Sequence, residues 1–251
     1  MAEKLQDKVA VITGGTSGIG LGIAKRFARE GARVFITGRE RAKLEAAAAD
    51  IGAAAVPVRA DSGDLADLDR LFDRVNAEAG RIDVLVANAG GGEFQPLGVI
   101  TEASFEDTFG RNVKGVLFTV QKALPLLVDG AAVILTGSNT SIRGTANMTV
   151  YAASKAAVRS FARTWTLELR DRGIRVNVLS PGPVRTPGLI GLVGPDPAAQ
   201  AAFLKQFGAQ VPLGRVGDPD EIGRVAVFLA CEDSSFVAGI ELFADGGQAQ
   251  V

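Results

Sequence analysis

The chain has 251 residues and a net charge of −1, from 27 lysines and arginines against 28 aspartates and glutamates, and 47% of its residues are hydrophobic. This composition predicts one folded α/β domain over residues 1–251 and excludes an electrostatic footprint for nucleic acid or an anionic membrane. The absence of histidine and the single cysteine exclude His/Cys zinc catalysis and serine–histidine hydrolysis, so no metal site is expected and Tyr, Lys, Asp, Glu or the lone Cys231 must transfer protons.

Short apolar runs alternate with helical patterns along the chain. Strands are predicted at residues 8–13, 33–37, 55–59, 83–87, 132–136, 175–179 and 240–243. Helices are predicted at 19–29, 44–51, 65–78, 105–128 with a break near Asn112, 150–172 and 221–229. The alternation predicts a Rossmann-type doubly wound parallel sheet of about seven strands, flanked by helices. A polar start followed by a short apolar strand, with no signal-peptide core, predicts a cytoplasmic protein.

The segment from Pro181 to Pro219 departs from this alternation, because it holds six prolines before Pro219 with interspersed glycines. A long irregular insertion in a compact domain is usually functional. We therefore expect a substrate lid at about residues 183–215, with a long surface loop as the alternative.

A glycine-rich turn joins the first predicted strand to the first predicted helix. Glycines let the backbone approach a pyrophosphate closely, and the N-terminus of the following helix directs free N–H groups at it. The turn therefore predicts a phosphate site. Its candidate residues are Gly14, Thr16, Ser17, Gly18, Ile19 and Gly20.

Tyr151 is the only tyrosine, and Lys155 follows four residues later on the same face of a predicted helix. A free tyrosine titrates near ~10, and a nearby ammonium stabilises the phenolate and lowers that pKa. The pair therefore predicts a proton donor and acceptor in a chain without histidine. Such pairs also occur on solvated helix faces, so the surrounding motifs must show whether this pair is catalytic.

The motifs, taken in order, resemble those of the classical short-chain dehydrogenase/reductase family over nearly the whole chain. They are the TGxxxGxG pattern of Gly14, Gly18 and Gly20, the NAG motif of Asn88, Ala89 and Gly90, the YxxxK motif of Tyr151 and Lys155, and the Pro181-Gly182 turn. The resemblance implies an NAD(P)(H)-dependent oxidoreductase that interconverts a ketone and a secondary alcohol.

The resemblance also implies four catalytic residues, Asn112, Ser138, Tyr151 and Lys155. Tyr151 would protonate the carbonyl oxygen while the nicotinamide delivers hydride, and Ser138 would donate a hydrogen bond to the same oxygen. Lys155 would lower the pKa of Tyr151 and hold the nicotinamide ribose. Asn112 would anchor a water that relays protons.

Further coenzyme contacts are implied by the same resemblance. Asp61 would contact the adenine and the Thr186 hydroxyl would hold the nicotinamide carboxamide. From the residues alone, Asp61 could instead form a turn and Asn88 could cap a strand end. The full set beyond the glycine-rich turn is Arg39, Asp61, Ser62, Asn88, Ala89, Gly90, Tyr151, Lys155, Pro181, Gly182, Val184 and Thr186.

The candidate substrate contacts are largely apolar, although a core role is an alternative for several of them. They are Phe94, Ser138, Tyr151, Leu189, Ile190 and Leu192. This set predicts a small neutral or hydrophobic ketone or alcohol, without distinguishing an acyl thioester, sugar, steroid or xenobiotic.

The end of the second strand predicts which coenzyme is preferred. NAD-preferring folds place an acidic residue there to bind the ribose 2′-hydroxyl, and Gly38 occupies that place here. The Arg39 guanidinium that follows is suited to a 2′-phosphate. We therefore expect NADP(H) to be preferred, with NAD(H) possible and a merely solvated Arg39 as the alternative.

Two other functions and the assembly stay open. An enoyl reductase of the same fold usually spaces its Tyr and Lys by seven residues, and a non-catalytic NAD(P)-sensing protein would have little use for all four catalytic residues. An apolar stripe on the helix at 150–172 predicts a homotetramer, with packing on the chain's own sheet as the alternative. The stripe consists of Val158, Phe161, Trp165 and Leu169.

Overall fold

The computed structural model describes residues 3–251, in which seven parallel strands form one sheet in the order β3-β2-β1-β4-β5-β6-β7. The strands are β1 (Val9–Ile12), β2 (Arg33–Gly38), β3 (Ala55–Arg59), β4 (Ile82–Ala87), β5 (Leu127–Thr136), β6 (Arg175–Pro181) and β7 (Glu241–Ala244). Strands β2 and β3 are added on one side of β1, and β4 to β7 are added on the other side. The strand order therefore switches direction between β1 and β4, which is the switch point of a doubly wound fold. The predicted fold class is thereby confirmed.

Helices cover both faces of the sheet. They are α1 (Gly18–Arg29), α2 (Arg41–Ile51), α3 (Leu65–Ala79), α4 (Glu102–Phe109), α5 (Gly115–Ala123), α6 (Thr149–Glu168), α7 (Pro187–Ile190), α8 (Pro197–Gly208) and α9 (Pro219–Ala230). Because side chains alternate along a strand, Val11 of β1 joins the core under α3, α5 and α6, whereas Ile12 joins the core under α1, α2 and α9. The sheet is therefore buried on both faces, as parallel sheets require.

The predicted helix at 105–128 extends too far. Its C-terminal part ends at Ala123, and β5 begins at Leu127, where it pairs with Ile82 of β4. Apolar residues at 126–128 suit either structure, and pairing with β4 decides for the strand. The predicted break near Asn112 is a turn of π-helix over Gly110–Lys114.

The segment predicted to be irregular contains two helices, α7 and α8, so that prediction is wrong. Pro187 and Pro197 each lie in a first helical turn, where the missing N–H has no partner to lose. The preceding residues cap the helices, since Thr186 accepts from a backbone N–H in α7 and Asp196 from two in α8. These prolines therefore begin helices rather than interrupt them.

Much of the apolar stripe on α6 packs against the chain itself. Val158 is fully buried in the core, and the rings of Phe161 and Trp165 stack 4.7 Å apart while packing on that core. The alternative of packing on the chain's own sheet therefore accounts for these side chains. Between Glu3 and Val251, no helix has the length and apolar character needed to cross a membrane.

Candidate active site

A cavity of about 820 Å³ opens at the carboxyl ends of the strands. It runs across the switch point between β1 and β4, where doubly wound folds bind their ligands. Residues that follow β1, β2, β3, β4, β5 and β6 all line it. The sheet therefore brings motifs that are far apart in the sequence to one site.

The glycine-rich turn fits a phosphate group. A Cβ on Gly20 would lie only 2.2 Å from the carbonyl oxygen of Gly14, so the turn closes only with glycine at position 20. Gly14 itself has a φ of +65°, a region that favours glycine. Ser17 precedes α1 without capping it through its side chain, and the first turn of α1 contains no acidic residue. The N–H groups at this helix end are therefore available to an anion.

Asn88 holds this turn in place. Its Nδ2 donates to the carbonyl oxygens of Thr13, at 3.0 Å, and Gly14, at 3.2 Å. In return, the Thr13 hydroxyl accepts from the backbone N–H groups of Asn88 and Ala89. The side chain of Asn88 thus caps the strand ends, and the adjacent backbone of Ala89 and Gly90 lines the cavity. Thr13 was not predicted to take part, because a threonine ending a strand has no distinctive signal.

Arg39 and Asp61 line the opposite end of the cavity. Asp61 Oδ1 accepts from the N–H of Gly63 at 2.9 Å, which is the turn considered as an alternative. Its Oδ2 lies 4.0 Å from the Arg39 guanidinium, whose side chain is 66% exposed. Ser62 beside them is buried. Because Arg39 is so weakly paired, its guanidinium is available to a ligand.

Tyr151, Lys155 and Ser138 line the middle of the same cavity. Tyr151 and Lys155 lie one turn apart near the start of α6, and the Lys155 Nζ is 5.6 Å from the centre of the tyrosine ring. The ammonium donates to the carbonyl oxygen of Thr136 at 2.8 Å. Ser138 lies two residues after the end of β5, and its hydroxyl oxygen accepts from the Thr140 hydroxyl at 3.0 Å.

Burial dominates the ionisation of both α6 residues. It raises the pKa of the Tyr151 phenol, an effect that the nearby Ser138 hydroxyl opposes. It also lowers the pKa of the Lys155 ammonium to about 8. Burial and the Ser138 hydroxyl, rather than Lys155, therefore shift the pKa of Tyr151 in the protein alone, and the raised pKa keeps the phenol protonated at neutral pH.

Asn112 lies behind the cavity and does not line it. It is fully buried in the π-helical turn, and its Nδ2 donates at 2.9 Å to both the Gly91 carbonyl and the Ser154 hydroxyl. Its Oδ1 accepts from the N–H of Gly91 at 3.0 Å. The side chain thus ties the loop after β4 to α6.

At the substrate end, Phe94, Leu189 and Leu192 line the cavity as predicted, but Ile190 does not. Ile190 ends the short helix α7, of which the preceding residues 187–189 form the cavity wall. Thr186 lines the cavity, although its hydroxyl accepts from the N–H of Leu189 at 3.1 Å and caps α7. Pro181, Gly182 and Val184 complete this side.

The lining also contains polar and charged residues that the sequence analysis did not predict. They include Arg111, Asn139, Thr140, Arg143, Gln210 and Gln248. Asn139, Thr140 and Arg143 lie in the segment between β5 and α6, whereas the others come from distant segments, so only the fold brings the whole set together. The substrate end is therefore only partly apolar, and its polar and charged groups go beyond the largely apolar set that was predicted.

The fold and the glycine-rich turn define a dinucleotide-binding α/β protein, and comparisons with known proteins narrow this class. A family model described as enoyl-(acyl carrier protein) reductase matches residues 14–249. Oxidoreductase asL5 of Sarocladium schorii is 48% identical over 99% of this chain and 98% of its own. Galactitol 2-dehydrogenase of Agrobacterium fabrum is 38% identical over 97% of this chain and 98% of its own. The NADP-dependent (R)-specific alcohol dehydrogenase of Lentilactobacillus kefiri is 34% identical, over 98% of both.

Solved structures agree with these relatives. The crystal structure of levodione reductase superposes with a TM-score of 0.91 at 32% identity, and the match covers 98% of both chains. The 3-ketoacyl-(acyl-carrier-protein) reductase from Brucella melitensis, complexed with NADH, superposes with a TM-score of 0.88 at 33% identity, covering 98% of this chain and 99% of that one. The chain therefore belongs to the classical short-chain dehydrogenase/reductase family and is an oxidoreductase of that type.

Proposed function

We propose that this protein transfers hydride reversibly between a nicotinamide coenzyme, preferentially NADP(H), and a ketone or secondary alcohol. The observation that supports this most directly is that Tyr151, Ser138 and Lys155 line the same cavity as the glycine-rich turn. When bound, the coenzyme supplies or accepts the hydride. The residues of the chain bind both reactants and move the proton.

Tyr151 would act as the general acid and base. Its raised pKa keeps the phenol protonated at neutral pH, which is the form needed to reduce a ketone. Ser138 would donate a hydrogen bond to the same carbonyl oxygen and stabilise the negative charge that develops there. Oxidation of an alcohol requires the phenolate, so we expect it to be favoured by higher pH.

Lys155 and Asn112 would support this chemistry from behind. The Lys155 ammonium is close enough to Tyr151 to stabilise the phenolate and is held by the Thr136 carbonyl. Asn112 would act through the backbone it positions, since its side chain is already bonded to Gly91 and Ser154. We infer that any proton relay past Asn112 uses backbone groups of the π-helical turn.

The preference for NADP(H) rests on the end of β2. Position 38 offers no carboxylate to repel a 2′-phosphate, and a Cβ there would lie 2.2 Å from the Thr16 methyl carbon. Arg39 lines the cavity with a largely exposed guanidinium. A guanidinium pairs well with a phosphate, which favours NADP(H) over NAD(H).

The remaining assignments concern the lid and the assembly. We propose that residues from about 183 to 215, which include α7 and α8, close over a substrate with an apolar body, because Leu189, Leu192 and Phe207 line the cavity. A homotetramer is supported by β7, which within residues 3–251 pairs only with β6, and by the fully exposed Phe236. Light scattering should give four times the 26.0 kDa chain mass, and a monomer at micromolar concentration would refute the assembly.

The activity is tested by following nicotinamide absorbance with a panel of ketones and one α,β-unsaturated thioester. We expect ketone-dependent oxidation of NADPH, and a loss of about a thousandfold in Tyr151→Phe with coenzyme binding retained, because only the hydroxyl is removed. Comparable turnover by Tyr151→Phe would refute the role of the phenol.

The same assay separates the two other functions. Reduction of the thioester but not of ketones would instead favour an enoyl reductase, the description of the matching family model. Binding of NADPH without turnover of any substrate in the panel would favour a sensor.

A further inference from the structure

The charged residues that line the cavity are unevenly distributed in sign. Among the residues lining it, Asp61 is the only acidic one, and it lies at the Arg39 end. The basic residues are Arg39, Arg111, Arg143 and Lys155. The substrate end therefore has positive charge and no carboxylate of its own to balance it.

Arg143 differs from the other arginines of the cavity. Arg111 forms an ion pair with Asp107 one helical turn away, and Arg39 lies 4.0 Å from Asp61. Within residues 3–251, the Arg143 side chain forms neither an ion pair nor a hydrogen bond, although it is half-buried. A guanidinium without an internal partner is available to form charge-assisted hydrogen bonds with an anionic group of a ligand.

The backbone beneath Arg143 is firmly held. Its N–H donates to the carbonyl oxygen of Asn139 at 3.2 Å, at the end of the helical turn that follows Ser138. The Asn139 side chain donates to Gln248 at 2.8 Å, and the Ser141 hydroxyl donates to the buried Glu241 at 2.5 Å. The segment is thus anchored to β7 and the C-terminal turn, while the guanidinium has no partner.

The rest of this end suits a hydrocarbon chain. Phe94 and Met148, with Leu189, Leu192 and Phe207 of the lid, line the same cavity as Arg143. A ligand that satisfies both features has an apolar body and one terminal anionic group. A carboxylate matches a single guanidinium in charge and accepts two parallel hydrogen bonds from it.

We propose that the physiological substrate is a keto acid or hydroxy acid whose terminal carboxylate binds Arg143. This inference rests on the proposed function, because it places the substrate carbonyl at Ser138 and Tyr151. It replaces the sequence-based expectation of a neutral substrate. Arg143 is a specificity-determining residue in this account and takes no part in proton or hydride transfer.

The test compares ketones that differ only in the terminal charge. With NADPH, kcat/KM is measured for 5-oxohexanoate, 6-oxoheptanoate and 7-oxooctanoate and for their methyl esters. We expect at least one acid to exceed its ester by about tenfold, the lower end of the range for a hydrogen bond to a charged group. Arg143→Gln should bring the acid-to-ester ratio close to one, through a higher KM for the acid.

The control variant is Arg163→Gln, which removes the same charge from an exposed arginine of α6 that does not line the cavity. It should keep both the acid-to-ester ratio and the rates. An acid-to-ester ratio at or below one in the wild type would overturn the proposal, as would a ratio that Arg143→Gln leaves unchanged. A change in molecular mass in Arg143→Gln with an unchanged ratio would place Arg143 at a subunit interface instead.

A binding measurement separates failure of this inference from failure of the proposed function. Octanoate and octanamide are titrated into the complex of enzyme and NADPH, and the fluorescence of NADPH is recorded. Tighter binding of octanoate that Arg143→Gln abolishes supports the carboxylate site even if no ketone is reduced. Equal binding of octanoate and octanamide by the wild type would overturn the carboxylate site even if neutral ketones are reduced.

Discussion

The two ends of the cavity are built in different ways. The coenzyme end consists mainly of backbone that follows the strands, as at Gly14 and Gly90, and side chains such as Asn88 serve to hold that backbone. The substrate end consists of side chains from separate segments, among them Arg143 before α6, Phe207 on α8 and Gln248 in the C-terminal turn.

This difference explains why the class of reaction is easier to infer than the substrate. The position of the backbone at strand ends is fixed by the sheet and by a core buried on both faces. The helices α7 and α8 and the loop before α6 can change their side chains without disturbing that sheet. Function at the substrate end is therefore set by individual residues, and at the coenzyme end by geometry.

The largest difference between the two ends should appear when a methyl group is added to a glycine at each. In Gly20→Ala, the new Cβ would lie 2.2 Å from the Gly14 carbonyl oxygen, so the turn must open. We expect NADPH affinity to fall at least a hundredfold, measured by fluorescence titration. Gly188→Ala is the matched control, because its nearest neighbour is the Thr186 hydroxyl at 3.9 Å. Equal losses in the two variants would contradict the comparison.

Lys155 lies between the two ends of the cavity, and the burial of its ammonium should reduce the free energy of unfolding of the ligand-free protein. The pKa is lowered from 10.5 to about 8, which corresponds to a penalty of about 3 kcal/mol at neutral pH. Lys155→Met removes this penalty but also the charge-assisted hydrogen bond to Thr136, about 2 kcal/mol. We expect the ligand-free variant to be more stable by about 1 kcal/mol at pH 7 in urea unfolding, while its turnover is lost.

The pH dependence of the free energy of unfolding tests whether burial lowers the pKa of Lys155. Below pH 8 the lysine is charged in both the folded and the unfolded chain, so the full penalty applies. Between pH 8 and 10.5 the folded chain loses the proton first, and the stability of the wild type rises. The advantage of Lys155→Met should therefore shrink over that range, and an advantage that grows with pH would refute the lowered pKa.

The sequence predicts the coenzyme end well for the same reason that makes this end rigid. A glycine-rich turn after a strand is a local pattern, and the strands that position it are short apolar runs. The helices α7 and α8 were missed although their signal is local too: Thr186-Pro187 and Asp196-Pro197 are each a capping residue followed by a proline, which begins a helix. Six prolines in one segment are also typical of a loop, and here the capping residue before Pro187 and Pro197 distinguishes a helix start from a loop.

Arg143 and Gln248 could not be predicted in the same way. Neither belongs to a motif, and they reach the cavity through the turn after β5 and the turn after β7, which are distant in the sequence. The length of β5 was also beyond local reasoning, since its first residue is defined by pairing with Ile82. Residues whose position depends on long-range packing are those that the sequence leaves undetermined.

The preference for NADPH over NADH should change by a smaller factor than the NADPH affinity does in Gly20→Ala. A largely exposed guanidinium is screened by solvent, so we expect Arg39→Ile to reduce the preference for NADPH over NADH by about tenfold in kcat/KM. Full reversal requires a carboxylate at position 38, where the Thr16 methyl group blocks the space. The triple variant Thr16→Ser, Gly38→Asp, Arg39→Ile should prefer NADH, with Thr16→Ser alone as its control. A wild type that prefers NADH would refute the assignment.

The smallest effect is expected at the lid. Leu192 lines the cavity but is 50% exposed, so its truncation removes only part of an apolar contact. We expect Leu192→Ala to raise the KM for a hydrophobic ketone about threefold, with kcat nearly unchanged. A large fall in kcat at constant KM would mean that the lid positions the reacting carbonyl rather than merely covering it.

The central claim is that this cavity transfers hydride to a carbonyl carbon, with Tyr151 supplying the proton. It is tested most directly by giving the enzyme NADPH deuterated at the transferred position of nicotinamide C4, with the ketones in one set of reactions and the α,β-unsaturated thioester in another, and locating the label by NMR. The account predicts deuterium on the carbinol carbon of the product in the wild type and almost no labelled product in Tyr151→Phe. Label on a saturated carbon of an unsaturated thioester, with none on any carbinol carbon, would contradict it.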